Sequence, residues 1–108
     1  MNWIKLTNKS QIDALKNDSQ ALIFKHSTRC PVSMMAKRSF ESEYQNNKNV
    51  NAYFLDLIAF REVSNYISTE FGVEHESPQL LLIKNGECIL DTSHGAIEAS
   101  LVEENFKS

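Results

Sequence analysis

Residues 21–33 constrain this chain more than any other stretch. The apolar run Ala21-Leu22-Ile23-Phe24 reads as a buried strand. Met35, Ala36, Phe40 and Tyr44 then recur at helical spacing, with Lys37, Arg38, Glu41 and Glu43 on the other face. Between the two lies Thr28-Arg29-Cys30-Pro31-Val32-Ser33. A strand that hands over to an amphipathic helix within so few residues is the first half of a β-α-β unit. Pro31 suits the first helical turn, where its missing N–H and fixed φ cost little. Cys30 therefore stands at or beside the helix N-cap, where unpaired backbone N–H groups and the positive end of the dipole favour an anion. A thiol in such a place is more easily ionised, and the thiolate is the form that attacks sulfur. Ser33 occupies the position at which a Cys-x-x-Cys motif would hold its second sulfur. The pattern points to redox chemistry with one thiol.

The rest of the chain supplies the other elements. Residues 3–6 read as a short strand, and Ser10 as the cap of a helix to Lys16 with Ile12 and Leu15 inward. The strand at residues 21–26 and the Cys30 helix follow, and Asn46-Asn47-Lys48-Asn49 ends that helix. Residues 50–57 form an apolar, aromatic-rich run that suits a strand covered on both faces. Phe60, Val63, Ile67 and Phe71 make a helical stripe, with Gly72 in the place of a helix C′ residue. After Ser77-Pro78, residues 79–84 and 87–91 flank Asn85-Gly86, a strong hairpin signal. Residues 96–106 read as a last helix with Ile97, Leu101 and Phe106 inward. The order β-α-β-α-β-α-β-β-α implies an α/β fold, a mixed central sheet with helices on both faces.

Composition narrows the class. With 108 residues, 42% of them hydrophobic, residues 1–108 are expected to form one small domain. A net charge of −3, with the basic residues scattered, argues against a nucleic-acid or anionic-membrane surface. No apolar stretch approaches the length of a membrane span, and residues 1–6 lack the features of a signal peptide. The expectation is a cytoplasmic protein, in a compartment where thiols stay reduced. Its two cysteines, Cys30 and Cys88, are then catalytic or buried rather than bridged. No cysteine or histidine spacing suits a metal, and no Gly-rich loop suits a phosphate.

The element order, Cys30 and Pro78 together resemble the thioredoxin fold over nearly the whole chain. The segments Lys25-His26-Ser27-Thr28-Arg29-Cys30-Pro31-Val32-Ser33 and His75-Glu76-Ser77-Pro78-Gln79 resemble, more narrowly, the monothiol bacilliredoxins with their Cys-Pro-Ile/Val-Ser motif. That resemblance implies a thioredoxin-like fold with Pro78 in a cis peptide bond opposite the nucleophile. It further implies removal of bacillithiol from mixed disulfides on client proteins. Bacillithiol would be a co-substrate rather than a tightly bound cofactor, and free bacillithiol or another redoxin would be the reductant. Thioredoxins place a buried acid six residues before the nucleophile. Here that position is Phe24, so a proton relay through such an acid is not expected.

On this reading Cys30 is the nucleophile, and Pro31, Ser33, Ser77 and Pro78 support the site. Ser33 is an ordinary first-turn residue or a hydroxyl bonded to the thiolate. Backbone groups of Ser77 would pair with a substrate backbone, in the manner of strand addition. His26 and His75 both converge on the site in this fold, where either would stabilise the thiolate or carry a proton. Arg29 and Lys25 are the cations expected near Cys30, suited to the malate carboxylates of bacillithiol. Lys37, two turns along the helix, is expected to be solvated. Gly95, after His94, is expected to allow a close backbone approach. Cys88 follows the Asn85-Gly86 turn at the far end of its strand, out of reach of Cys30. Rival readings are a general glutaredoxin-like monothiol redoxin, a redoxin holding an iron–sulfur cluster between subunits, and an adaptor with an incidental cysteine.

Overall fold

A computed structural model describes residues 1–106. In chain order these form β1 (Ile4–Lys5), α1 (Lys9–Leu15), β2 (Gln20–His26), α2 (Pro31–Glu43), β3 (Asn51–Asp56) and α3 (Arg61–Phe71). Strands β4 (Gln79–Lys84) and β5 (Glu87–Ser93), a single 3-10 turn (His94–Ala96) and α4 (Ala99–Asn105) complete the order. The strands make one sheet in the order β1-β3-β2-β4-β5. β1 and β2 run parallel to β3, while β4 is antiparallel to both β2 and β5. This is the expected mixed sheet of a thioredoxin-like fold.

Alternation along the central strands divides the core between two faces. Ala21 and Ile23 of β2 and Leu81 and Ile83 of β4 pack with Ile12 and Leu15 of α1 and Val63 and Ile67 of α3. Leu22, Phe24, Leu80 and Leu82 point the other way, onto Phe40 of α2, its C-cap Tyr44, and Ala99 and Val102 of α4. Each fully buried Leu, Ile or Phe removes enough apolar surface from water to contribute about 1.5–3 kcal/mol. The middle of β2, covered on both faces, is therefore the best-anchored support in the molecule for whatever follows it. The edges are blunted: β1 has two exposed residues, and β5 carries a bulge that displaces exposed Ile89 from the ladder.

Several local expectations change. The cap of α1 is Asn8 rather than Ser10. Its side chain accepts from the Gln11 amide, and the Gln11 side chain accepts in return from the Asn8 amide. In α2 the inward stripe is Ser33, Phe40 and Tyr44 with Ala36 partly covered, whereas Met35 is 70% exposed. The last helix begins at Ala99, after the 3-10 turn, and buries Ala99 and Val102 in place of Leu101. At Gly95 an added Cβ would meet nothing within 4 Å, so no close approach requires that glycine. The unusual backbone there belongs to His94, with φ of 53°. Gly72 does cap α3 in the left-handed region, and Asn85 and Gly86, with φ of 52° and 83°, make the tight hairpin turn.

Candidate active site

The C-terminal end of β2 carries the candidate site, with Cys30 just beyond it. Cys30 is the N-cap of α2, extended at φ −107° and ψ 116°, and Pro31 follows as the first helical residue. The Cys30 N–H donates to Ser27 O at 3.2 Å, closing a turn, and Cys30 O accepts the Met34 N–H at 3.0 Å, opening the helix. Cys30 is half-buried, between exposed Arg29 and exposed Pro31. A sulfur so placed stands at the end of the helix where unpaired N–H groups and the dipole favour negative charge.

Ser33 is fully buried, and its hydroxyl is committed elsewhere than to Cys30. The Ser27 N–H donates to Ser33 Oγ at 3.1 Å, and His26 Nδ1 lies 2.6 Å from the same oxygen. The Ser33 oxygen is therefore shared between the Ser27 amide and the imidazole. Burial and the Lys37 charge hold His26 below the usual imidazole range, against opposing pulls from Asp56 and Glu41, so the neutral form is favoured. The pair His26–Ser33 thus fastens the Ser27–Cys30 turn to the first turn of α2.

Lys25 is not a surface cation. It is 0% exposed, and its ammonium donates to Ser64 O and Ser68 Oγ, each at 3.1 Å, with His75 Nδ1 at 3.4 Å. The alternation that sends Phe24 and His26 to the α2 face sends Lys25 to the α3 face. Burial lowers its pKa to about 8. His75 Nδ1 also lies 3.3 Å from Ser64 Oγ. The imidazole is held below its ordinary range by burial, Lys25 and Arg61, with Glu76 opposing. The two histidines therefore lie against opposite faces of the sheet.

The sheet register places the Ser77–Pro78 segment. Lys25 pairs with Gln79, so the residues before Gln79 pass the end of β2 from which the Cys30 turn departs. The Ser77–Pro78 bond is cis, Pro78 is buried and Ser77 half-buried. Among the described residues, neither the N–H nor the C=O of Ser77 has a partner in the chain. Buried Gln79 shapes the segment, donating to Glu74 O at 2.9 Å and accepting from the Glu76 N–H at 3.3 Å.

Cys88 pairs with Ile83, four residues up β4 from Gln79, or roughly 13 Å away along the strand. Both cysteines are free. Burial pushes the Cys88 thiol up to about 11, and its S–H donates to Leu90 O at 3.4 Å. It is a poor nucleophile in the wrong place.

Lys37 is engaged rather than solvated. It pairs with Glu41 at 3.0 Å and lies 5.2 Å from the Phe54 ring centroid and 5.9 Å from that of Trp3. With His26, Met34, Arg38 and Glu41 it lines a crevice of about 160 Å³ along the α2 face that begins at Cys30. The larger hollow, about 830 Å³, lies at the other end of β2 among Gln20, residues 45–49 and α4, away from Cys30. Among the described residues, no group of three or more His, Cys, Asp or Glu is placed to hold a metal ion. No helix there is long and apolar enough to cross a membrane.

A protein-family model described as monothiol bacilliredoxin BrxC matches residues 4–102. The chain belongs to the monothiol bacilliredoxin family. Membership carries a thiol–disulfide redox role in which bacillithiol takes part. This bacilliredoxin is also similar to a solved structure described as a candidate oxidoreductase with a thioredoxin fold. The two share 30% identity and a TM-score of 0.83, over 94% of this chain and 90% of that one. Mitochondrial thioredoxin 3 from Saccharomyces cerevisiae, at 18% identity and TM-score 0.73 over 97% and 93% of the two chains, shares the fold. So does a thioredoxin from Malassezia sympodialis, at 16% identity and 0.75, over 98% and 89%. The sequence places Lys25 and His75 near Cys30 but not bonded to each other, and it gives Ser64 and Ser68 no role in the polar cluster they form together. Its signal was present: a lysine inside a strand covered on both faces, and serines within the apolar stripe of α3.

Proposed function

We propose that this bacilliredoxin removes bacillithiol from mixed disulfides on proteins through Cys30. The Cys30 thiolate attacks the bacillithiol sulfur of the client, a new disulfide forms between Cys30 and bacillithiol, and the client sulfur leaves as a thiolate that takes up a proton. A second thiol, free bacillithiol or another redoxin, then attacks the Cys30 adduct. That step returns Cys30 as a thiolate and oxidises the incoming thiol to a disulfide. The observation that carries this reading is Cys30 half-exposed at the N-cap of α2, with Cys88 free and paired to Ile83, four residues up β4 from the Gln79 that pairs with Lys25. Without an internal resolving thiol, the cycle must pass through an adduct on Cys30. Pro31 and the Ser33–His26 pair fix the turn from which Cys30 attacks, and Ser77 offers its unpartnered backbone groups to the client. Exposed Arg29, next to Cys30, is the cation we assign to the malate carboxylates. The activity belongs to a reducing cytoplasm, where free thiols are available.

Intact-mass spectrometry tests the transfer. A single-cysteine protein carrying bacillithiol should lose that mass as Cys30 gains it, and added bacillithiol should then clear the adduct. Equal rates on glutathionylated and bacillithiolated forms of one client would instead favour a general monothiol redoxin. A coloured dimer on anaerobic purification would favour a cluster-binding one.

A further inference from the structure

Lys25 is the most costly group in the fold that the exchange cycle does not use. An ammonium taken out of water is normally paired with a carboxylate. Among the described residues, Lys25 faces only neutral acceptors: the Ser64 carbonyl, the Ser68 hydroxyl and His75 Nδ1. An ammonium has three N–H donors and no acceptor, so His75 Nδ1 must be the lone-pair side of a neutral ring. His75 stands three residues before Pro78, in the segment joining α3 to β4, and the backbone of Lys25 pairs with Gln79 immediately after Pro78. Lys25 thus grips the segment from below while Gln79 grips it at Glu74 and Glu76.

We propose that Lys25 and His75 are positioning residues that latch the Ser77–Pro78 segment for client capture, and that the latch holds only while His75 is neutral. A proton on Nδ1 would set an N–H against an ammonium 3.4 Å away and turn an attraction into a repulsion between two cations. The ionisable groups acting on His75 come from β2, α3 and its own segment: Lys25 of β2 and Arg61 of α3 oppose its protonation, while Glu76 favours it. Glu76 is partly diverted, with its Oε2 3.6 Å from His94 Nε2. Release in acid frees the segment that offers Ser77 to a peptide, so a protein client suffers more than a small disulfide with no peptide to hold. This latch rests on the client-binding role proposed for Ser77.

The test compares a bacillithiolated single-cysteine protein with the bacillithiol–cysteamine mixed disulfide across the pH range in which imidazoles titrate. The ratio of their kcat/KM values should fall about tenfold on acidification in the wild type, the loss expected for one charge-assisted contact. In His75→Gln, which cannot take the proton, the ratio should no longer depend on pH. NMR supplies a readout independent of activity. The Ser77 amide of the wild type should titrate with His75, and Lys25→Met should raise the His75 midpoint by removing the facing charge. A Ser77 amide indifferent to the His75 titration, or an acid fall in the ratio that persists in His75→Gln, overturns the latch. Failure of the wild type to release bacillithiol at any pH would strike the proposed activity instead, and the NMR titration would still decide the latch.

Discussion

Ser33 illustrates how much one hydroxyl decides at this site. It accepts from the Ser27 N–H and meets His26 Nδ1, so Ser33→Ala strips partners from two buried groups at once. Each buried polar group left unmatched costs about 1–3 kcal/mol. Ser33→Ala should therefore lower stability in urea denaturation by about 2 kcal/mol or more, and the Cys30 turn should lose amide-exchange protection. Cys88→Ser should behave differently. Its thiol is half-buried, pushed up to about 11 and far from the site, so exchange turnover should stay within twofold of wild type, at a stability cost of about 1 kcal/mol. Cys30→Ser should abolish turnover, since a hydroxyl does not displace sulfur from a disulfide. A Cys30 adduct that accumulated only in Cys88→Ser would show that Cys88 resolves it after all. Cys30 and Cys88 could be read from the sequence because strand ends and hairpin turns fix where each lies along the sheet. Lys25 could not be read from residue type, because lysine is almost always solvated. Its period-two position between Phe24 and His26, in a strand with neighbours on both sides, was the better guide.

At the scale of elements, the helices were legible where a stripe or a cap is local, and less so where tertiary packing chooses. Asn85-Gly86 and Gly72 impose positive φ and could be placed from residue type alone. The start of α1 turned on choosing between two capable caps. Asn8 with Gln11 three residues later is the reciprocal box, and Ser10 lacks an equally good partner at Asp13. Asn8→Ala should therefore cost about 1 kcal/mol of stability and leave exchange rates unchanged, because α1 packs with α3 at a distance from Cys30. The same substitution at Ser10 should cost less. In α2 the sequence stripe of Met35, Ala36, Phe40 and Tyr44 is kept by the sheet only in part: Phe40 and Tyr44 are buried, while Met35 joins Val32 and Met34 on the exposed side of the first turns. Their exposure follows from the position of Ser33, which turns inward to His26 and fixes the rotation of the first turn. The crevice beside Met34 also brings Arg38 into the comparison with Arg29. If Arg29 meets the malate carboxylates, Arg29→Ala should slow removal of bacillithiol about five- to thirty-fold more than removal of β-mercaptoethanol. If Arg38→Ala changes that ratio instead, the malate lies along α2.

For the whole molecule, the buried ionisable groups make stability a function of pH in a way that can be assigned. His26 and His75 both sit below the usual imidazole range. The unfolded chain therefore takes up their protons first, and stability falls as pH drops through about 6.5. Lys25 acts at the alkaline end. Its folded pKa is about 8 against 10.5 for the free side chain, so between those values the unfolded state holds the proton that the folded state has released. Where the unfolded state binds more protons, stability rises with pH. Tyr44 and Tyr53, pushed up to about 12 mainly by burial, work in the opposite sense: above pH 10 their unfolded forms ionise first and stability is lost. The raw curve of the wild type mixes these effects, and comparison with Lys25→Met separates them, because both proteins keep the tyrosines. Urea denaturation of the two at a series of pH values should show the wild type gaining on Lys25→Met from about pH 8 upward, by on the order of 2–3 kcal/mol once pH passes the free-lysine value. A difference that stayed flat over that interval would mean the Lys25 amine holds its proton in the fold as firmly as in water. The charge at the base of the Ser77–Pro78 segment would then cost the fold nothing.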